Sequence, residues 1–144
     1  MVAHICVAAG EANVGSSWSR ADIMYSKLVL EHFEHPRNGG ELPNANAVAR
    51  LDNPMCGDML EVSLRLEDGV IAEARFRAKG CVPTIACASR LTEMVQGLTV
   101  ADALTIRRDA IIDSLGGLPA ASHHAAQLAV DALRASLATV KSAS

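Results

Sequence analysis

Two alternating segments joined by an Asp-Gly turn constrain the fold more than any other feature of this sequence. Apolar residues occupy every second position in both: Leu60, Val62, Leu64 and Leu66 in the first, and Ala72, Ala74, Phe76 and Ala78 in the second. The intervening Asp68-Gly69 favours a tight β-hairpin. Residues 47–51 are a candidate third antiparallel strand. Because charged or polar residues fill the positions between them, we predict a sheet that is covered on one face only.

Helical patterns dominate the remainder of the chain. Ser26 is a candidate N-cap for a helix whose apolar side comprises Leu28, Val29, His32 and Phe33. After Cys81, Pro83 suits a first helical turn, and the apolar stripe that follows is Thr84, Ala88, Leu91 and Val95. A short helix over residues 109–115 and a long one over about 122–140 come next. The sequence therefore predicts an α+β fold: a three-stranded antiparallel sheet covered on one face by helices, with a long C-terminal helix.

The length suits a single domain. A chain of 144 residues can bury a full core without disulfides, and 50% of its residues are apolar although only 3% are aromatic. Residues 1–23 show no sustained period, so we predict a flexible N-terminal extension followed by one domain over residues 24–144.

Charge and hydropathy exclude several classes of partner. The net charge is −3, which gives little support to nucleic-acid binding. No apolar run approaches the roughly 20 residues that cross a bilayer, and the N-terminus lacks the basic region of a secretory signal. We therefore expect a cytoplasmic protein that contacts neither nucleic acid nor membrane. Its four cysteines are predicted to be thiols or ligands rather than disulfides.

Three separate groups carry atoms that a soft metal prefers. They are Cys56-Gly57-Asp58, Gly80-Cys81 and His123-His124. Cysteine and histidine bind zinc and the iron of iron-sulfur clusters, whereas aspartate supplies a harder, more exchangeable oxygen. Cys56 and Cys81 are 25 residues apart, and Cys81 and His124 are 43 apart. These separations exceed those of a zinc finger, so the fold would have to gather the site.

Two choices remain within these candidates. Adjacent helical residues point about 100° apart, so we expect one of His123 and His124 to be a ligand and the other a hydrogen-bonded neighbour. Cys87 falls at helical spacing with Leu91 and Met94. We therefore predict that Cys87 packs in the core instead of binding metal.

The residues in combination resemble a known family, the IscU/NifU-type scaffold proteins of iron-sulfur cluster assembly. The resemblance spans about residues 24–140 and rests on these segments: Tyr25-Ser26, His35-Pro36-Arg37-Asn38-Gly39, Asn53-Pro54-Met55-Cys56-Gly57-Asp58, Gly80-Cys81, residues 86–93 and Leu118-Pro119. It implies a non-enzymatic scaffold that assembles a transient [2Fe-2S] cluster, or binds Zn²⁺, and that works with a cysteine desulfurase and iron-sulfur acceptor proteins.

The resemblance also implies a ligand set, from which this chain departs at one position. Relatives use three cysteines with an aspartate or histidine. By position these fall on Cys56, Asp58 and Cys81, with the family histidine at His123 and the third cysteine replaced by His124. His124 is thus favoured over His123 as the ligand. The replacement removes one thiolate, which should raise the potential of a bound cluster and leave sulfur delivery to Cys56 or Cys81.

Two further expectations follow from departures of this kind. Relatives served by a dedicated chaperone carry Leu-Pro-Pro-Val-Lys, whereas residues 118–122 here are Leu-Pro-Ala-Ala-Ser, which predicts weak or absent chaperone contact.

The first alternative function is a zinc-binding member that no longer builds clusters and acts as a sulfur acceptor or regulatory binding protein. The second is a zinc hydrolase, but no His-Glu-x-x-His motif supplies its base.

Overall fold

The computed structural model describes residues 25–53 and 57–141. Within them the chain forms, in order, α1 (Lys27–Glu34), β1 (Ala47–Asn53), β2 (Asp58–Glu67), β3 (Val70–Lys79), α2 (Val82–Val95), α3 (Val100–Ala103), α4 (Arg108–Ser114) and α5 (His123–Lys141). A short 3₁₀ helix, Ala120–Ser122, leads into α5. The predicted α+β fold is confirmed. The predicted extension, residues 1–23, lies outside the described residues.

The three strands form one antiparallel sheet in the order β1-β2-β3. Asp68 and Gly69 both adopt positive φ angles, 54° and 78°, as a two-residue hairpin turn requires. Alternate residues of β2 and β3 are almost fully buried beneath α2 and α5: Leu60, Val62, Leu64, Ala74, Phe76 and Ala78. The opposite face carries ion pairs such as Arg77 with Glu61, 2.8 Å apart. The sheet is therefore covered on one face, as the alternation predicted.

The hairpin contains an irregularity that the alternation did not predict. Arg65 pairs with Glu73 but Leu66 pairs with Ile71, so β3 has one extra residue, Ala72, at this point. Such a bulge shifts the alternation by one residue, so odd-numbered residues of β3 face the core before it and even-numbered residues face the core after it. As a result Ile71 is fully buried while Ala72 is only half-buried. The predicted core position of Ala72 was wrong.

Helix α1 begins at the predicted cap. The Ser26 hydroxyl oxygen accepts a hydrogen bond from the Val29 amide at 3.1 Å, and the hydroxyl donates to the carbonyl of Leu115. Val29, His32 and Phe33 are buried, at the i, i+3 and i+4 positions of one helical face. Leu28 precedes that face and is 50% exposed, so its predicted place on the apolar side was wrong.

Two loops cover the outer edge of β3. The amide of Gly40 donates to the Phe76 carbonyl at 2.9 Å, and the Phe76 amide donates to the Asn38 carbonyl at 3.0 Å. Nearer the hairpin turn, the Ile71 amide donates to the carbonyl of Leu98 at 2.8 Å. These bonds fix β3, whose far end leads to Gly80 and Cys81. No helix in the described part of the chain is long and apolar enough to cross a membrane.

Candidate metal centre

Three secondary-structure boundaries bring three different ligand types together. Asp58 is the first residue of β2, Cys81 is the N-cap of α2, and His124 is the second residue of α5. One carboxylate oxygen, the thiol sulfur and one imidazole nitrogen all lie within 4.8 Å of one another. Donor atoms around one tetrahedral zinc would be about 3.5 Å apart, so a small closure would bring these three donors to one ion.

Asp58 lies at the bottom of this site and is 3% exposed. Its Oδ2 accepts a hydrogen bond of 2.8 Å from the hydroxyl of Thr84, which is 1% exposed. The same Oδ2 lies 3.7 Å from Cys81 Sγ and 3.8 Å from His124 Nε2. Thr84 therefore orients the carboxylate oxygen that faces both other donors.

Gly80 leaves the space that the Asp58 carboxylate occupies. A Cβ atom at position 80 would lie 2.2 Å from Asp58 Oδ1 and 2.8 Å from its Cγ, far inside contact distance. Any other residue at position 80 would displace the buried carboxylate. The glycine before Cys81 thus shapes the site, in keeping with the close backbone approach that glycine allows.

Backbone carbonyls fix which imidazole nitrogen points into the site. His124 Nδ1 is 3.0 Å from the carbonyl of Ala121. Since a carbonyl only accepts, Nδ1 carries a hydrogen, and Nε2 is the nitrogen that faces Asp58 and is available to a metal. His123 points elsewhere, with its Nε2 donating to the Leu118 carbonyl at 3.1 Å. The structure brings His124, and not His123, to the other donors.

The two described cysteines have different surroundings. Desolvation raises the pKa of the Cys81 thiol; hydrogen bonds from Thr84 oppose this shift and the negative charge of Asp58 adds to it. A bound metal would therefore displace a proton from Cys81. Cys87 is fully buried, and burial raises its pKa to about 12. Cys87 is a core residue, as its spacing predicted.

The structure does not describe every predicted ligand. Cys56 lies outside the described residues, between Asn53 of β1 and Gly57, so its role as a ligand stays a prediction. Sequence reasoning also missed one residue of the site, because Thr84 was placed only in the apolar stripe of α2. Its position three residues after Cys81, in the first turn of the helix, is the signal that indicates contact with the cysteine.

The fold and the site together define a class: a small α+β domain in which a carboxylate, a thiol and an imidazole converge on one candidate metal centre. Comparison with known families identifies it further. The model of the family described as "NifU-like N terminal domain" matches residues 24–143. The chain belongs to this family.

Individual relatives agree with that assignment. "Iron-sulfur cluster assembly scaffold protein IscU 1" of Archaeoglobus fulgidus is 43% identical over 111 residues, covering 77% of this chain and 72% of that protein. The IscU scaffold protein of Aquifex aeolicus is 39% identical over 115 residues, covering 78% and 73%. Among solved structures, the N-terminal NifU-like protein of Brucella abortus has a TM-score of 0.70 at 26% identity, covering 88% of this chain and 100% of that one.

Proposed function

We propose that this protein is a scaffold on which a labile [2Fe-2S] cluster is assembled and from which the cluster passes to acceptor proteins. Membership of the NifU-like family and the scaffold proteins among its relatives support the proposal. The observation that carries it is the convergence of Asp58, Cys81 and His124 within 4.8 Å. The cluster is cargo in this function, so no turnover of a small substrate is involved.

The donor chemistry suits a cluster that must be released. A [2Fe-2S] cluster takes four protein ligands, which we assign to Cys56, Asp58, Cys81 and His124. Two of these are thiolates, which iron-sulfur clusters prefer, and the other two are an oxygen and an imidazole. An incoming acceptor thiolate displaces the oxygen or the imidazole more easily than it would displace a further cysteine. Mixed ligation therefore favours transfer over permanent storage.

The partners follow from the same proposal. Sulfur comes from a cysteine desulfurase, and the completed cluster goes to iron-sulfur acceptor proteins. Because Ala120 and Ala121 stand where the chaperone motif has Pro and Val, we expect dedicated chaperone contact to be weak. The cytoplasmic location is part of this proposal.

Anaerobic reconstitution with ferric iron and sulfide tests the proposal. The wild-type chain should develop visible charge-transfer bands, which Cys81→Ala and Cys56→Ser should abolish and His124→Ala should weaken. His123→Ala is the matched control, because His123 neighbours the site in sequence but donates to Leu118 instead; it should keep the bands. If the wild type shows no bands, or Cys56→Ser and Cys81→Ala match it, the scaffold assignment is wrong.

Metal analysis of protein purified without oxygen separates the scaffold from the zinc-binding alternative. A scaffold should exchange any bound zinc for iron when sulfide is supplied. One zinc per chain that iron and sulfide do not displace would favour a zinc-binding regulator or sulfur acceptor. The named relatives favour the scaffold.

A further inference from the structure

A groove between α4 and α5 contains an unusual concentration of arginine. Its volume is about 380 Å³, and it is lined by Arg107, Arg108, Asp109, Gln127, Val130 and Arg134. All three arginines are exposed. This region lies outside the candidate metal centre, and we refer to it as the arginine groove.

The arginines of the groove differ from the other described arginines in lacking a counter-ion. Six arginines elsewhere each have a carboxylate within 4.0 Å: Arg37, Arg50, Arg65, Arg75, Arg77 and Arg90. Across residues 25–53 and 57–141, no carboxylate oxygen lies that close to Arg107, Arg108 or Arg134. The three unpaired guanidinium groups of the described chain thus line one concave surface.

The local charge contrasts with that of the whole chain. The formal net charge is −3, yet the groove has three cations and a single lining acid, Asp109. The nearby Asp131 accepts a hydrogen bond of 2.8 Å from the Gln127 amide. A concave surface with a net positive charge attracts anionic groups, and arginine pairs with carboxylates through two parallel hydrogen bonds.

The shape of the groove favours an extended peptide over a small anion. Gln127 and Arg134 are seven residues apart on α5, which corresponds to about 10 Å along the helix axis. One phosphate group is too small to fill a groove of that length, and Asp109, which lines the groove, would repel a compact dianion. An extended segment places side chains about 7 Å apart on one face, so its carboxylates can reach separate arginines.

We propose that the arginine groove docks an acidic, extended segment of a partner protein. The groove lies close to the candidate metal centre, because Gln127 is three residues after His124, about one helical turn along α5. A segment bound in the groove would hold its parent protein beside the metal centre. The proposal concerns binding without metal, and it therefore stands independently of the proposed scaffold function.

Fluorescence anisotropy with a defined probe tests the docking. The probe is a labelled peptide of about ten residues in which Glu and Ala alternate, so that carboxylates share one face. The full-length wild-type chain should bind it at about 50 mM salt and bind more weakly at about 300 mM. The same peptide with Gln in place of Glu should not bind. Arginine Nε signals in the NMR spectrum of the wild type should shift for the groove residues.

Two triple variants with equal charge distinguish the groove from general attraction. The variant Arg107→Gln/Arg108→Gln/Arg134→Gln should bind the peptide at least about tenfold more weakly. The control Lys27→Gln/Arg50→Gln/Arg75→Gln loses the same charge elsewhere and should bind within about twofold of wild type. Circular dichroism verifies that both variants are folded.

Several results would overturn the proposal. These are an absence of binding by the wild type, equal losses in both triple variants, or equal binding of the Gln peptide. Inorganic phosphate provides the remaining comparison. If millimolar phosphate shifts the groove signals and displaces the peptide fully at constant ionic strength, the groove is a small-anion site and no peptide docks there.

Discussion

The hydrogen bond from Thr84 to Asp58 allows a sharp test of how the site is built. Thr84→Val keeps the shape of the side chain and removes the hydroxyl that donates to Asp58 Oδ2 at 2.8 Å. Both residues are buried, so water has little access to replace the lost donor. Because the weak thiol donor of Cys81, 3.7 Å from the same oxygen, replaces this bond only poorly, its loss should cost about 1.5–3 kcal/mol of folding free energy.

Urea unfolding of the metal-free, reduced chain measures this cost. With an m-value of about 1.5 kcal/mol per molar urea, the unfolding midpoint should fall by about 1–2 M. Thr84→Ser is the matched control, because it keeps the hydroxyl and removes only a methyl group. Its midpoint should fall by clearly less than that of Thr84→Val.

Two outcomes would refute the reasoning. If Thr84→Val unfolds at the wild-type midpoint, the hydrogen bond does not stabilise the fold. If Thr84→Ser is as unstable as Thr84→Val, packing of the methyl group accounts for the effect.

Three other predictions concern residues around the site and the core. Gly80→Ala should weaken Zn²⁺ binding about ten- to hundredfold in a chelator competition, because its Cβ would overlap Asp58 Oδ1. Gly97→Ala is the control and should bind Zn²⁺ like wild type, because a Cβ added at position 97 would meet no other side chain or backbone within 4 Å. Burial, reinforced by the charge of Arg37, lowers the pKa of His32 below 6.5 in the folded state. Because the unfolded chain then binds more protons than the folded chain, the free energy of unfolding should fall by up to about 1.4 kcal/mol per pH unit as the pH drops below 6.5. Urea unfolding at several pH values should show this fall reduced in His32→Gln and unchanged in His35→Gln. Cys87, whose pKa is raised to about 12, should react with a thiol reagent only after unfolding, so Cys87→Ala should lose one slowly reacting thiol and no fast one.

Local patterns predicted the fold well because the apolar residues of each strand and helix recur at the spacing typical of that element. The alternation in β2, the Asp68-Gly69 turn and the Ser26 cap all act over a few residues, and the structure confirms them. The bulge at Ala72 was not predicted, since it depends on how β3 pairs with β2 and not on either strand alone. Leu28 shows the same limit, because an apolar residue at a helix edge faces the core only if a neighbour covers it.

The site was less accessible to sequence reasoning. Soft ligand types indicated a metal centre, but Asp58, Cys81 and His124 meet only through packing of α5 and α2 on the sheet. The choice between His123 and His124 depends on the carbonyls of Leu118 and Ala121, which no spacing shows. The ligand roles themselves stay predictions until metal is measured.

The apolar core beneath the sheet has a consequence for how the protein would work over time. The elements that carry Asp58, Cys81 and His124 are held by buried residues such as Leu60, Phe76 and Leu133, none of which needs a metal. Unlike a zinc finger, which unfolds when its ion departs, such a carrier would keep its shape after giving up its cargo. One molecule could then be refilled and discharged many times without refolding between rounds.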